Sequence, residues 1–114
     1  MELKTQIFDK KFRDIVPENA ALEHIATGFT FTEGPVWCGN YLLFSDIPKN
    51  RIVKYQMLAQ GPEINTFRRP SGNSNGLTLD AVGRLIACEH GTRRVTRTET
   101  DGTIKVLADR YQGH

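Results

Sequence analysis

Glu33 and Asn75 are the two side chains of this sequence whose types and spacing suggest a shared chemical site. They lie 42 residues apart, and each directly precedes a glycine. Carboxylate and carboxamide oxygens are the ligands that hard divalent cations such as Ca²⁺, Mg²⁺ or Mn²⁺ prefer. We therefore predict metal-assisted chemistry if the fold brings both residues to one cavity. The structural alternative is that Glu33 and Asn75 are ordinary turn formers beside Gly34 and Gly76.

His90 is a second candidate for a functional side chain, and it follows Glu89. Histidine is the commonest acid or base at neutral pH, and a neighbouring carboxylate can orient its ring. Adjacent residues of a strand point to opposite faces, however, so at most one of the two faces a given cavity. We predict that His90 lies at the rim of the cavity and contacts substrate. The alternative is a hydrogen-bonded loop histidine without a chemical role.

The cysteines and the clustered arginines are predicted to have structural or solvent-facing roles. Two cysteines, Cys38 and Cys88, are too few for a disulfide scaffold. We expect both to be reduced, packed thiols, which favours a cytoplasmic protein. Strand alternation separates neighbouring arginines onto different faces, so solvated faces are expected rather than a phosphate site. These arginines are Arg68, Arg69, Arg93, Arg94 and Arg97.

The elements that position these side chains are predicted to be short β-strands. Apolar stretches rich in Val, Ile, Phe, Tyr and Thr recur between Gly, Asn, Asp and Pro residues. We predict strands at residues 23–27, 36–38, 41–45, 51–55, 64–68, 77–80, 85–89, 93–98 and 104–108. Only residues 8–16 suggest a helical turn or two, which Pro17 and Asn19 would end.

An internal repeat organises these strands. A shift of 42 residues places Gly34 on Gly76, Leu43 and Phe44 on Leu85 and Ile86, Arg51 on Arg93, and Val53 on Val95. A period of about 40 to 45 residues with four short strands is typical of a β-propeller blade. We predict an all-β chain with an N-terminal lead-in and first outer strand at 1–30, a full blade at 31–72 and a second blade at 73–114. A small β-sandwich of the same length is the alternative fold.

Two blades do not make a closed ring. Propellers have typically 4 to 8 blades, so even the smallest ring needs about 160 residues at this spacing. A chain of 114 residues would therefore expose blade faces and strand edges that neighbouring blades normally cover. We expect it to associate, aggregate or remain partly molten when it is alone.

Composition excludes several other classes of protein. The formal net charge is +2, and the basic residues are spread along the chain, which argues against nucleic-acid binding. No apolar run approaches the roughly 18 to 20 residues that span a bilayer, so no membrane segment is expected. The first residues mix charges with isolated apolar positions, unlike a secretory signal.

Several linked motifs resemble the senescence-marker-protein/gluconolactonase family of six-bladed propellers. The first group reads FTEGPVW at 31–37, LFSDIP at 43–48 and RIVKY at 51–55. The second group reads NGLTLD at 75–80, GRL at 83–85, CEHG at 88–91 and RRV at 93–95, which is similar to the bacterial gluconolactonase branch. The resemblance covers nearly the whole chain from about residue 7.

The resemblance implies a hydrolase that opens a sugar lactone such as glucono-1,5-lactone. In this family a divalent metal polarises the ester carbonyl and stabilises the oxyanion that forms when water attacks. Ca²⁺ is the metal expected first, with Zn²⁺, Mg²⁺ or Mn²⁺ as alternatives. Glu33 matches the first metal ligand of the family, the glutamate of its Glu-Gly-Pro motif. Asn75 matches an asparagine that contacts substrate or metal-bound water.

The chain departs from the family pattern because two functional positions have no counterpart. A further metal-binding asparagine, and an aspartate that serves as ligand and general base, lie in later blades of the family. We therefore expect the N-terminal third of a lactonase, inactive alone, that associates with itself or pairs with a missing C-terminal part. The alternative is a non-catalytic, propeller-derived module that acts by binding a protein partner.

Overall fold

The computed structural model describes residues 1–114 and contains eight β-strands in two antiparallel sheets. Sheet 1 has the order β1-β2-β3-β4, and sheet 2 has the order β5-β6-β7-β8. The strands are β1 (Thr32–Trp37), β2 (Leu42–Asp46), β3 (Arg51–Leu58), β4 (Gly61–Arg68), β5 (Ser74–Leu79), β6 (Leu85–Glu89), β7 (Arg94–Thr98) and β8 (Ile104–Ala108). Each sheet is a four-stranded meander, as in a propeller blade.

The predicted all-β fold is confirmed, and eight of the nine predicted strands are present. The tight hairpins form where the sequence supplies residues that accept left-handed backbone. Gly83 and Gly102 both have φ of +86°, and the Asp80 carboxylate accepts hydrogen bonds from the amides of Val82 and Arg84. The limits proposed for the lead-in and the two blades, at residues 31 and 73, stay predictions.

The predicted strand at residues 23–27 is wrong. This segment forms no ladder, although Ala26 and Phe29 pack on the apolar face of sheet 1 formed by Phe44, Val53 and Tyr55. It therefore contacts the sheet through side chains and not through backbone hydrogen bonds. The helical turn expected at residues 8–16 is present as a short 3₁₀ helix at Lys10–Asp14. Neither this helix nor the second one, Ile47–Lys49, has the length and apolar character needed to cross a membrane.

The repeat is real, but its register changes by one residue within the blade. The strands β1 and β5 begin 42 residues apart, whereas β2 and β6 begin 43 apart. The physical reason is the first hairpin, which has four connecting residues in sheet 1 and five in sheet 2. The alignments of Leu43 and Phe44 with Leu85 and Ile86, of Arg51 with Arg93 and of Val53 with Val95 were therefore all wrong by one residue. Arg51, for example, corresponds to Arg94. By the same shift His90 corresponds to Ile47.

The two sheets pack face to face around a small core. Leu43 and Ile52 of sheet 1 and Leu85 of sheet 2 are buried together. Val36, Leu77 and Leu79 lie against them. Near one end of the strands the Ser45 hydroxyl lies 2.9 Å from the Ser74 hydroxyl and from the carbonyl oxygen of Asn75. The contact between sheets thus combines apolar burial with satisfied polar groups.

Gly34 permits the closest approach between the sheets. Its φ is +60°, and a Cβ atom there would lie 1.9 Å from the carbonyl oxygen of Asn75. Any side chain would therefore push β1 away from β5. The Glu-Gly-Pro motif is needed for packing as well as for the position of Glu33.

Candidate functional site

Glu33 and Asn75 occupy equivalent places in the two sheets. Each is the second residue of its first strand, and each lies where a bulge interrupts pairing with the next strand. Both side chains are exposed. The equivalence that the repeat predicted is therefore present at the level of the backbone.

The two side chains nevertheless line different cavities in this chain. Glu33 lines a cavity of about 340 Å³ with Phe29 and Phe44, on the face of sheet 1 that the lead-in covers. Asn75 lines a larger cleft of about 750 Å³ together with Cys88 and Val95 of sheet 2. The backbones of the two residues are nevertheless close, since Gly34 approaches the carbonyl oxygen of Asn75. The expectation of one shared cavity stays a prediction. Their roles as metal ligand and substrate contact stay predictions.

The larger cleft does bring Asn75 and His90 together. It lies where β6 and β8 end and β7 begins, so it gathers residues from the ends of several strands. Phe31 and Ile47 of the first repeat contribute to its wall. We call this cavity the strand-end cleft.

Glu33 and Asn75 are by themselves too few to hold a divalent metal. The chain contains no group of three or more His, Cys, Asp or Glu side chains that could hold one. Glu33 is the only carboxylate in its cavity, and its Oε2 accepts a hydrogen bond from the Gly34 amide at 3.2 Å. Ca²⁺ takes six to eight oxygen ligands, so Glu33 and Asn75 alone are too few.

Glu89 is the polar centre of the contact between sheets, and the sequence analysis missed it. Its side chain is fully buried and accepts hydrogen bonds from Arg68 (2.8 Å), Arg94 (2.9 Å), Thr92 (2.6 Å) and Thr96. Burial opposes ionisation, but these four donors outweigh it and lower the pKa of Glu89 to about 2. Glu89 is thus a buried anion that joins β4 of sheet 1 to sheet 2.

Sheet 1 contains a related arrangement at the equivalent position. Asp46 is buried, and its carboxylate accepts hydrogen bonds from Arg51 and from the amides of Thr30 and Phe31. Burial raises its pKa, but these donors have the larger combined effect and leave the pKa below its ordinary value. Both sites share a sequence pattern, in which an acid ends the second strand of the sheet and an arginine follows five residues later. This pattern could have predicted both sites.

Two expectations about arginines and cysteines are corrected by these contacts. Arg68 and Arg94 do not lie on solvated faces, because they form the ion pairs with Glu89. Cys38 is half-buried and Cys88 is exposed, so only Cys38 approaches the packed thiol that was predicted for both. Both thiols are free. Burial raises the pKa of the Cys38 thiol, which makes it less reactive.

The loop before β7 positions Arg93 over the strand-end cleft. Arg93 has φ of +57°, close to the +55° of Asn50, which precedes β3 at the equivalent position. Arg93 Nη1 lies 3.3 Å from His90 Nδ1. The side chain of Asn50 has a different role, because its Oδ1 accepts hydrogen bonds from the amides of Ser71 and Asn73. These bonds hold the segment that connects the two sheets.

Comparison with known proteins gives a consistent match over both sheets. A model of the family described as SMP-30/Gluconolactonase/LRE-like region matches residues 31–114. A gluconolactonase of Zymomonas mobilis subsp. mobilis is 30% identical over 122 residues, a match that covers 93% of this chain and 33% of that relative. The chain therefore spans about a third of the length of this relative.

Solved structures give the same picture. A gluconolactonase from Xanthomonas campestris, described as important in glucose secondary metabolic pathways, is 33% identical with a TM-score of 0.66. That match covers 75% of this chain and 28% of the other chain. A structural-genomics target described as a candidate gluconolactonase is 36% identical with a TM-score of 0.73, over 91% of this chain and 36% of its own.

Proposed function

Because the chain belongs to the SMP-30/gluconolactonase/LRE-like family, we propose that it forms part of a hydrolase that opens glucono-1,5-lactone or a related sugar lactone. The observation that carries this proposal is the family match across both sheets, residues 31–114. The name of the Zymomonas mobilis relative supports the reaction. The strand-end cleft supports a small polar substrate, since Asn75 and His90 both line it.

Each candidate residue has a proposed role. Asn75 can donate a hydrogen bond from its side-chain amide to the lactone carbonyl oxygen, on which negative charge develops when water attacks. His90 would contact the sugar hydroxyls at the rim of the cleft. Glu33 would contribute one carboxylate to a divalent-metal site, with Ca²⁺ expected first, whose other ligands come from elsewhere in a whole lactonase.

We propose that the chain of 114 residues is inactive without those additional ligands. This follows from the donor set, in which Glu33 and Asn75 line separate cavities and no group of three or more His, Cys, Asp or Glu side chains is placed to hold a metal ion. It also follows from the open form of the cleft, because oxyanion stabilisation needs donors fixed around an enclosed substrate.

Exposed apolar faces support the proposal that the chain associates with itself or with a further part of a propeller. Several large apolar side chains of the outer strands and the lead-in are at least two-fifths exposed, including Ile64 at 45% and Leu107 at 43%. The outermost strands β4 and β8 are sheet edges with unpaired backbone groups. We also propose a cytoplasmic location, which the two free cysteines support.

A non-catalytic binding module is the second candidate function. The separation of Glu33 from Asn75 favours it, because the chain then contains no assembled reaction centre. In that case the exposed faces of the two sheets would be the functional surface, and a protein would be the ligand.

The proposal is tested by measuring proton release from glucono-1,5-lactone with the purified chain, with and without added Ca²⁺. We expect the rate to equal that of buffer in both conditions, and calorimetry to detect no tight Ca²⁺ binding. Hydrolysis that depends on Ca²⁺ and is lost in Glu33→Gln would contradict the proposed inactivity and place the whole site within the chain. A Glu63→Gln variant, which removes an exposed acid of β4, is the matched control.

A further inference from the structure

The strand-end cleft is basic, and one of its cations has no acidic partner. Three arginines line it, together with the acids Glu89 and Asp109. Both acids are occupied, since Glu89 pairs with Arg94 and with Arg68, and Asp109 pairs with Arg110. Arg93 is exposed and forms no ion pair. The charge of Arg93 is therefore not offset by any side-chain carboxylate.

Arg93 is also held in an uncommon backbone conformation. A φ of +57° suits glycine or asparagine and costs another L-residue roughly 1 to 2 kcal/mol. At the equivalent position sheet 1 has Asn50, which accepts this conformation more readily. A use for the side chain at this point would account for an arginine in a strained backbone conformation.

The hydrogen bond with Arg93 determines which nitrogen of the His90 imidazole accepts and which one donates. Arginine can only donate, so His90 Nδ1 accepts the hydrogen bond from Arg93 Nη1 at 3.3 Å. The hydrogen of the neutral ring is then on Nε2. His90, Arg93 and the amide of Asn75 are thus all available as donors in one cleft.

We propose that Arg93, supported by His90 and Asn75, binds the carboxylate of a sugar acid in the strand-end cleft. This inference rests on the proposed function, because opening an uncharged sugar lactone by water produces such a carboxylate. The guanidinium group presents two parallel N–H donors that match a carboxylate. The lactone has no anionic group for Arg93, so the site distinguishes product from substrate and predicts that the product is retained.

Binding without turnover tests this site separately from lactone hydrolysis. Equilibrium dialysis of the chain against radiolabelled gluconate, with EDTA present, measures binding that involves no metal and works for both monomers and associated chains. We expect saturable binding that neutral glucose does not compete for and that inorganic phosphate competes for weakly. Gluconate binding by an inactive chain would support the site even if the proposed hydrolase function failed.

Arg93→Asn is the decisive variant, because asparagine suits the backbone conformation that Arg93 adopts. The variant should unfold at a higher temperature than the native chain and bind gluconate about tenfold more weakly or worse. Arg97→Gln removes a charge outside the cleft and should bind like the native chain. Three results would each overturn the assignment: equal gluconate binding by Arg93→Asn, absence of binding by the native chain, or equal affinity for phosphate or glucose.

Discussion

At the residue scale, Glu89 links the stability of the chain to pH. Its carboxylate is buried between the sheets and has two arginine and two threonine donors. A buried carboxylate is tolerated only when its charge is compensated, and removal of the charge leaves the arginines without their partner. The contribution of Glu89 to the stability of the fold should therefore disappear when its carboxylate is protonated.

Acid should destabilise the fold through Glu89. Its pKa is lowered from 4.5 to about 2 in the folded chain, so the folded state favours the ionised form. The stabilisation is fully present above about pH 4.5 and is lost as the pH falls toward 2, and it amounts to about 3 kcal/mol at about 1.36 kcal/mol per pKa unit. Urea unfolding of the chain between pH 6 and pH 2.5 measures this loss.

The variant Glu89→Gln should remove most of that pH dependence. We expect its free energy of unfolding at pH 7 to be lower by about 2 to 3 kcal/mol, because Arg68 and Arg94 lose their buried partner. Asp109→Asn breaks an exposed pair with Arg110 and should change stability little. If the Glu89→Gln variant lost as much stability in acid as the native chain does, another group would be responsible for the acid sensitivity.

Sequence reasoning singled out Asn75 and His90 but did not recognise the role of Glu89. The burial of Glu89 depends on Arg68, which lies 21 residues earlier and in the other sheet. Such a pairing follows from how two sheets dock, and no local pattern shows it. The same limitation applies to Glu33, whose cavity depends on where Phe29 of the lead-in packs.

At the element scale, the meander of each sheet follows from local sequence. Alternating apolar residues and turn residues with positive φ sufficed to predict strands β1–β8. The strand at residues 23–27 was not present because strand formation requires a pairing partner, which this segment lacks. The shift of one residue in the repeat arose from the longer β5–β6 hairpin, which a gap-free alignment does not detect.

The packing of β1 against β5 should be highly sensitive to substitution of Gly34. In Gly34→Ala the new methyl group would lie 1.9 Å from the carbonyl oxygen of Asn75, in addition to the strain of φ +60°. We expect a loss of about 3 kcal/mol or more in the free energy of unfolding, because a clash with backbone adds to left-handed strain. Thermal and urea unfolding measure it.

Gly102→Ala is the matched control for this experiment. Gly102 also has positive φ, +86°, but a Cβ atom there would have no heavy atom within 4 Å. It should lose only about 1 to 2 kcal/mol, from strain alone. Similar losses in the two variants would mean that β1 can move away from β5 without cost, which would contradict the close packing of the sheets.

At the scale of the whole molecule, the lead-in covers part of the outer face of sheet 1, whereas apolar side chains of the outer strands such as Ile64 and Leu107 stay exposed. The apolar core between the sheets is small and is built on three buried residues, Leu43, Ile52 and Leu85. The chain spans about a third of the length of its Zymomonas mobilis relative, and the exposed apolar side chains are the surfaces that we propose for association. The family match is thus clear although no group of three or more His, Cys, Asp or Glu side chains comes together in this chain.

The most direct test of the proposed function is the rate of glucono-1,5-lactone hydrolysis when this chain is co-purified with the remaining two thirds of the Zymomonas mobilis gluconolactonase. We predict that hydrolysis appears only in the combined sample and falls at least about a hundredfold with Glu33→Gln, as expected for loss of a metal-ligand carboxylate. Arg97→Gln should leave it unchanged. A combined sample that is no more active than its parts, or that is equally active with Glu33→Gln, would contradict the assignment of this chain to a lactone-hydrolysing site.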